Sequence, residues 1–212
     1  MKSYMRTIIQ ITRVALILGT SLRLAAQDRM PPIPAEKMTE EQKKAVAEFR
    51  ADRKTELTGP WIALLRSPEV LTRARVLSDY LRFTSVLPPT LSEFVILMTA
   101  RQWTQQYEWN AHYQLAMSAG LNPNIGKAIA EGRRPEHMGE DEETLYDLCL
   151  ELQRNQSVSD ATYARAVTRF GEKGVIDTVS LTGYYTMIAM VLNTARSPLP
   201  TGVTPALAPF PR

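Results

Sequence analysis

The sequence predicts an all-α protein, a compact multi-helix domain of seven or eight helices. Three observations carry that expectation. Apolar residues recur at three- and four-residue spacing, capping motifs stand in front of those runs, and almost no stretch alternates apolar with polar residues as a half-buried strand does. Met30-Pro31-Pro32-Ile33-Pro34 reads as an extended linker, because proline removes backbone donors and pushes its neighbour out of the α region. Thr39-Glu40-Glu41-Gln42 is a capping box that opens a helix to about residue 52. Thr58-Gly59-Pro60 is a turn, and Pro68 starts a helix on which Val70, Leu71, Ala74, Leu77 and Leu81 keep helical spacing. Leu87-Pro88-Pro89 breaks the chain, and Thr90-Leu91-Ser92-Glu93 reads as a second capping box before a helix over 94–103.

The next helix spans about 106–119 and stops at Gly120, a residue suited to the left-handed position after a helix. A short helix over 123–131 and a polar loop over 132–139 follow. The helix over 141–153 carries acids in its first turn, where the helix dipole favours them. Ser159 caps a helix over 160–170, and a more apolar helix runs over 173–195. Pro198, Pro200 and Pro205 forbid its continuation. No repeat of fixed period is present. The expected layout is a leader over 1–27, a linker and N-terminal helix over 28–54, the main domain over 55–200 and a proline-rich tail over 201–212.

Composition narrows the function classes. The chain has 212 residues, 44% of them hydrophobic and 22% charged, enough to bury a core and too apolar for a disordered chain. The net charge of +3 suggests nucleic acid, but Lys2, Arg6, Arg13 and Arg23 lie in the first 27 residues, which hold no acid. The remainder is close to neutral, and its basic residues do not cluster with aromatics, so a nucleic-acid partner is excluded. One cysteine, Cys149, excludes an intramolecular disulfide framework, a cysteine zinc site and a CxxC redox pair. Two histidines leave little for a His-rich metal site, and no metal is expected. No P-loop, GxGxxG, HExxH or GxSxG motif occurs.

Lys2 and Arg6, the short apolar run over 14–22, and Leu24-Ala25-Ala26 read as a signal peptide with its cleavage site. The run falls short of the roughly 20 residues a transmembrane helix needs. The chain is therefore expected to be exported, periplasmic or secreted, and held at the membrane only if the leader is retained. An amphipathic N-terminal helix is the alternative.

On a helical wheel of the segment over 106–120, Glu108 and His112 fall within the apolar arc with Trp109, Leu115, Ala116 and Ala119. They are also an i,i+4 pair, close enough to touch. A carboxylate and an imidazole on a core-facing stripe are costly unless each satisfies the other. Burial and mutual charge also bring such groups toward neutral pH, where they act as general acids or bases. Either a catalytic pair or a structural pair satisfies the pattern. Glu93 is a third candidate, although its place in the Thr90 capping box already accounts for its charge. Arg101 and Gln105, between the acids in sequence, are candidate substrate-binding residues. His137 reads as a solvated loop residue, Cys149 as a small core residue, and Tyr184-Tyr185 with the segment over 187–192 as core rather than a cofactor box.

Leu87-Pro88-Pro89, Glu93-Phe94-Val95-Ile96-Leu97, Tyr107-Glu108-Trp109 with His112, and Ala119-Gly120-Leu121 together resemble the carboxymuconolactone decarboxylase family. The segment over 179–187, ending Leu192-Asn193, is similar to that family's C-terminal helix. The resemblance implies an all-α, alkylhydroperoxidase-like domain that assembles into homo-oligomers, trimers or hexamers. One branch of the family decarboxylates a lactone without a cofactor, and the other reduces peroxides through a CxxC pair. In this sequence Glu93 and His112 match the peroxidase branch's glutamate and histidine, whereas Gln105 and Glu108 stand where its two cysteines would be. Peroxide reduction needs a thiolate nucleophile, which neither residue supplies. The resemblance therefore implies a cofactor-free lyase or isomerase acting on a small carboxylated or lactone substrate, with His112 as acid/base, Glu108 as its partner and Glu93 as a second acid. A non-catalytic exported oligomeric binding protein and a peroxidase are the competing readings.

Overall fold

The computed structural model describes residues 28–209. The leader over 1–27, on which the export reading rests, lies outside them. After a 3-10 turn at Ala35–Lys37 come α1 (Glu40–Arg53), α2 (Pro60–Leu64), α3 (Pro68–Phe83) and α4 (Pro89–Gln102). They are followed by α5 (Gln106–Ser118), α6 (Pro123–Ala130), α7 (Glu140–Asn155) and α8 (Asp160–Ala195). Among the described residues there is no strand, as the patterning predicts.

α4 is the centre of the molecule. Leu91 through Arg101 are all buried, so every face of this helix is covered. α3, α5, α6, α7 and α8 pack around it. Phe94, Val95, Ile96 and Leu97 are wholly inaccessible, a run that has no amphipathic period because no side of it meets water.

Local signals account for most boundaries. Thr39 and Gln42 form the reciprocal capping box that starts α1. Ser159 caps α8 through the Thr162 amide. Gly171, at φ +68°, breaks α8 into two helical halves, which correspond to the expected helices over 160–170 and 173–195. By length and composition α8 could cross a membrane, but 56% of its apolar stretch is buried in the protein, as in a core helix.

Three expectations are corrected. The Thr90 capping box does not form: α4 starts earlier, at Pro89, and the Thr90 hydroxyl donates instead to the Ala119 carbonyl. Thr58-Gly59-Pro60 is the entrance to a short helix, α2, rather than a turn alone. On α3 the buried face is Leu71, Ala74, Ser78 and Leu81, while Val70 and Leu77 face water. The N-terminal helix also joins the main core, since Ala45, Val46 and Phe49 of α1 belong to the same buried cluster as α4 and α8.

Candidate active site

The buried stripe of α5 is Glu108, Trp109, His112 and Ala116, so two ionisable side chains lie on the buried face of a helix packed against α4. Gln105 fixes where that helix starts. Its side-chain oxygen accepts from the Tyr107 and Glu108 amides, and its nitrogen donates to Asn193 at 2.9 Å.

His112 stands between two carboxylates. Its Nδ1 is 2.6 Å from Glu93 Oε2, and its Nε2 is 3.4 Å from Glu108 Oε2. Arg82 of α3 approaches the other Glu93 oxygen at 3.5 Å. The Tyr185 ring meets the imidazole edge-on, with centroids 5.0 Å apart. Burial alone would favour the neutral imidazole. The hydrogen bonds and negative charge of Glu108 and Glu93 outweigh it, and the His112 pKa is raised. Burial would likewise disfavour the Arg82 guanidinium, but Tyr185, Glu93 and Glu108 reverse that effect and keep it charged. The two tyrosines beside it remain phenols: burial takes Tyr185 well above its ordinary range and Tyr184 to about 12.

All of these groups but Glu93 border a cleft of about 230 Å³ open to solvent. His112 and Glu108 reach it from α5, Arg53 from α1, Arg82 from α3, and Tyr184 and Tyr185 from α8. Glu93 does not line the cleft. It bonds Nδ1, the nitrogen of His112 opposite the one that Glu108 approaches, and of the two acids only Glu108 lines the cleft. Leu115, placed in the apolar arc by sequence, is exposed and lines the same cleft.

Arg101 and Gln105 are not brought to the cleft. The last turn of α4 points Arg101 at the C-terminal tail, where Nη1 donates to the Ala208 carbonyl at 2.7 Å. Gln105 is occupied as the cap of α5. Sequence reasoning missed Arg53, Arg82 and Tyr107. A signal for Arg82 was present, because it falls four residues after Ser78 on the stripe that carries Leu71, Ala74 and Leu81. Arg53 at the end of α1 carries no comparable mark.

Cys149 lies elsewhere, wholly buried in α7 and 3.6 Å from the Thr182 hydroxyl. Burial pushes its pKa to about 12, so the thiol stays protonated. His137 is exposed in its loop. No group of three or more metal-ligating side chains occurs among the described residues.

No family model matches the sequence, and no curated protein matches it. Among solved structures, the chain is similar to the alkylhydroperoxidase AhpD core of an uncharacterized peroxidase-related protein from Ralstonia eutropha JMP134. The TM-score is 0.66 at 13% identity, over 82% of this chain and 92% of that one. A likeness at so low an identity is one of fold, and the chain has the all-α, alkylhydroperoxidase-like core fold.

Proposed function

We propose that the cleft is the active site of a cofactor-free lyase or isomerase of the carboxymuconolactone decarboxylase type, acting on a small carboxylated or lactone substrate. The observation that carries this reading is the placement of His112: one ring nitrogen is held by Glu93 at 2.6 Å and the other is directed to Glu108 at the cleft. A histidine fixed from behind by a carboxylate, with its proton at the open side, is arranged as a general acid.

In the decarboxylating case, the carbon–carboxylate bond breaks, carbon dioxide leaves, and the electron pair stays on the substrate as a dienolate. That carbon takes the proton from His112 Nε2, leaving a neutral imidazole still hydrogen-bonded to Glu93. Solvent in the cleft returns the proton, with Glu108 beside Nε2 to receive it. An isomerase cycle starts instead with proton abstraction: the Glu108 carboxylate takes a proton from one substrate carbon, His112 Nε2 gives one to another, and the Glu108 proton then passes to Nε2 beside it.

The peroxidase reading is not favoured, because Cys149 is buried away from the cleft and protonated. The binding-protein reading predicts a paired Glu–His without an open cavity, and the cleft beside His112 argues against it. Export and assembly into a trimer or hexamer belong to the same proposal.

The test is turnover by the full chain of a panel of small carboxylated lactones and enolisable keto acids in heavy water, followed by NMR for carbon dioxide release or deuterium incorporation. His112→Gln is expected to lower the rate by about 10²–10⁴-fold while the protein stays folded. A folded His112→Gln protein with wild-type turnover overturns the mechanism, and a wild-type protein inert to the whole panel overturns the enzyme reading.

A further inference from the structure

We infer that Arg53 and Arg82 form the seat for the carboxylate of a small, planar, acidic ligand in the cleft. This rests on the cleft being a ligand site, though not on His112 carrying out chemistry there.

Each guanidinium is anchored from behind by one of its nitrogens. Arg53 Nη2 donates to Asp79 Oδ1 at 2.6 Å and to Ser78 at 3.3 Å, and Arg82 Nη2 lies 3.5 Å from Glu93. Among the described residues the Nη1 atoms of both make no hydrogen bond, and both Nε atoms are buried without a partner. An unmade hydrogen bond from a buried charged donor is costly, and buried polar groups are ordinarily satisfied. The two Nη1 atoms, unbonded and accessible on side chains that line one cleft, therefore mark where acceptor oxygens belong. A carboxylate matches the fork of a guanidinium, which a neutral carbonyl does only singly.

The acids nearby leave these donors open. Asp79 is shared with Arg75 at 3.6 Å, Glu56 is held by Arg50 at 2.6 Å, and Glu93 is engaged by His112. Glu108 faces His112 Nε2 rather than either arginine. Charge in this cluster is close to balanced, so the seat works through directed donors and not through surplus positive charge.

Shape supplies the rest of the ligand. The Arg53 guanidinium lies over the Trp61 ring at 4.9 Å, and Phe49, Tyr184 and Tyr185 complete walls suited to a flat molecule. A cavity of about 150 Å³ holds benzene, so about 230 Å³ accommodates a ring with its carboxylate.

The test is calorimetric titration of the full chain with benzoate, and with benzamide as the uncharged isostere. Saturable one-to-one benzoate binding is expected, with benzamide about tenfold weaker or worse. Arg53→Gln and Arg82→Lys should each weaken benzoate by about tenfold, and Arg53→Lys should recover part of that loss. Arg73→Gln, an exposed arginine on α3, should leave the affinity unchanged. No saturable benzoate binding, equal binding of benzamide, or wild-type affinity in the folded arginine variants overturns the seat. Should the variants fail to fold, the Nε–H resonances of Arg53 and Arg82 in the wild type decide the matter: they shift when benzoate is added, and unmoved resonances overturn the inference. Benzoate binding without turnover of any panel substrate removes the enzyme reading and leaves the seat; turnover without benzoate binding does the reverse.

Discussion

His112 carries opposite demands from its surroundings, and their balance sets a measurable pH dependence. Because its pKa is raised in the folded chain, its charged form adds stability that is fully present below the unfolded value of about 6.5 and is lost as pH rises through the folded value. The stability difference between wild type and His112→Gln, measured by urea unfolding, should therefore be largest at pH 6 and below and shrink steadily as pH rises above 6.5. A difference that grows with pH would show that the imidazole is held neutral. The roles of Glu108 and His112 as a buried pair were legible in the helical period alone. Glu93 was obscured by its own neighbourhood: Thr90 and Glu93 have the spacing of a cap, and only the packing of α4 against α5 shows that the carboxylate serves a residue nineteen positions on. Arg53 and Arg82 were not legible as cleft residues, since an arginine on a helix surface looks the same in sequence whether it meets water or a cavity. Arg101 lies between the two acids in sequence, but α4 turns it onto another face, toward Ala208.

At the level of elements, the approach of α2 to α5 depends on one residue without a side chain. Gly59, at the entrance to α2, has φ +53°, and a Cβ there would overlap the Tyr107 ring. Gly59→Ala should combine backbone strain with displacement of Tyr107 and cost about 2 kcal/mol or more in stability. Adding Tyr107→Ala should recover much of that loss, so the double variant, compared with both singles by thermal melting, should show non-additive costs. Additive costs would place the strain in the backbone alone. Elements whose ends are set by local chemistry, such as the Thr39 box, the Ser159 cap and the glycine break at 171, were readable from a few residues. α2 was not, because five residues carry too little period to be distinguished from a turn. The start of α4 was misread because a tertiary bond from Thr90 to Ala119 displaced the local cap.

The whole molecule has an apolar outer surface on α3 and the second half of α8. Val76, Phe83 and Ile176 are 57%, 66% and 62% exposed, and Tyr80 and Val86 border them, both bonded to the buried Asp177. Such a patch is suited to a partner surface, and the proposed homo-oligomer would cover it. Phe83→Glu with Ile176→Glu should reduce the mass seen by light scattering to that of one chain, whereas a wild type already monomeric would remove the oligomer from the proposal. The proline-rich tail packs on the body where it is described: Leu207 is buried, and its backbone is gripped on both sides by Gln106, which donates to its carbonyl at 2.6 Å and accepts from its amide at 3.0 Å. Gln106 is two residues from Glu108. The segment around Leu207 thus acts as a splint on the first turn of the helix that aims the cleft's carboxylate. Loss of the segment that holds Leu207 would be felt in the cleft although Leu207 does not line it.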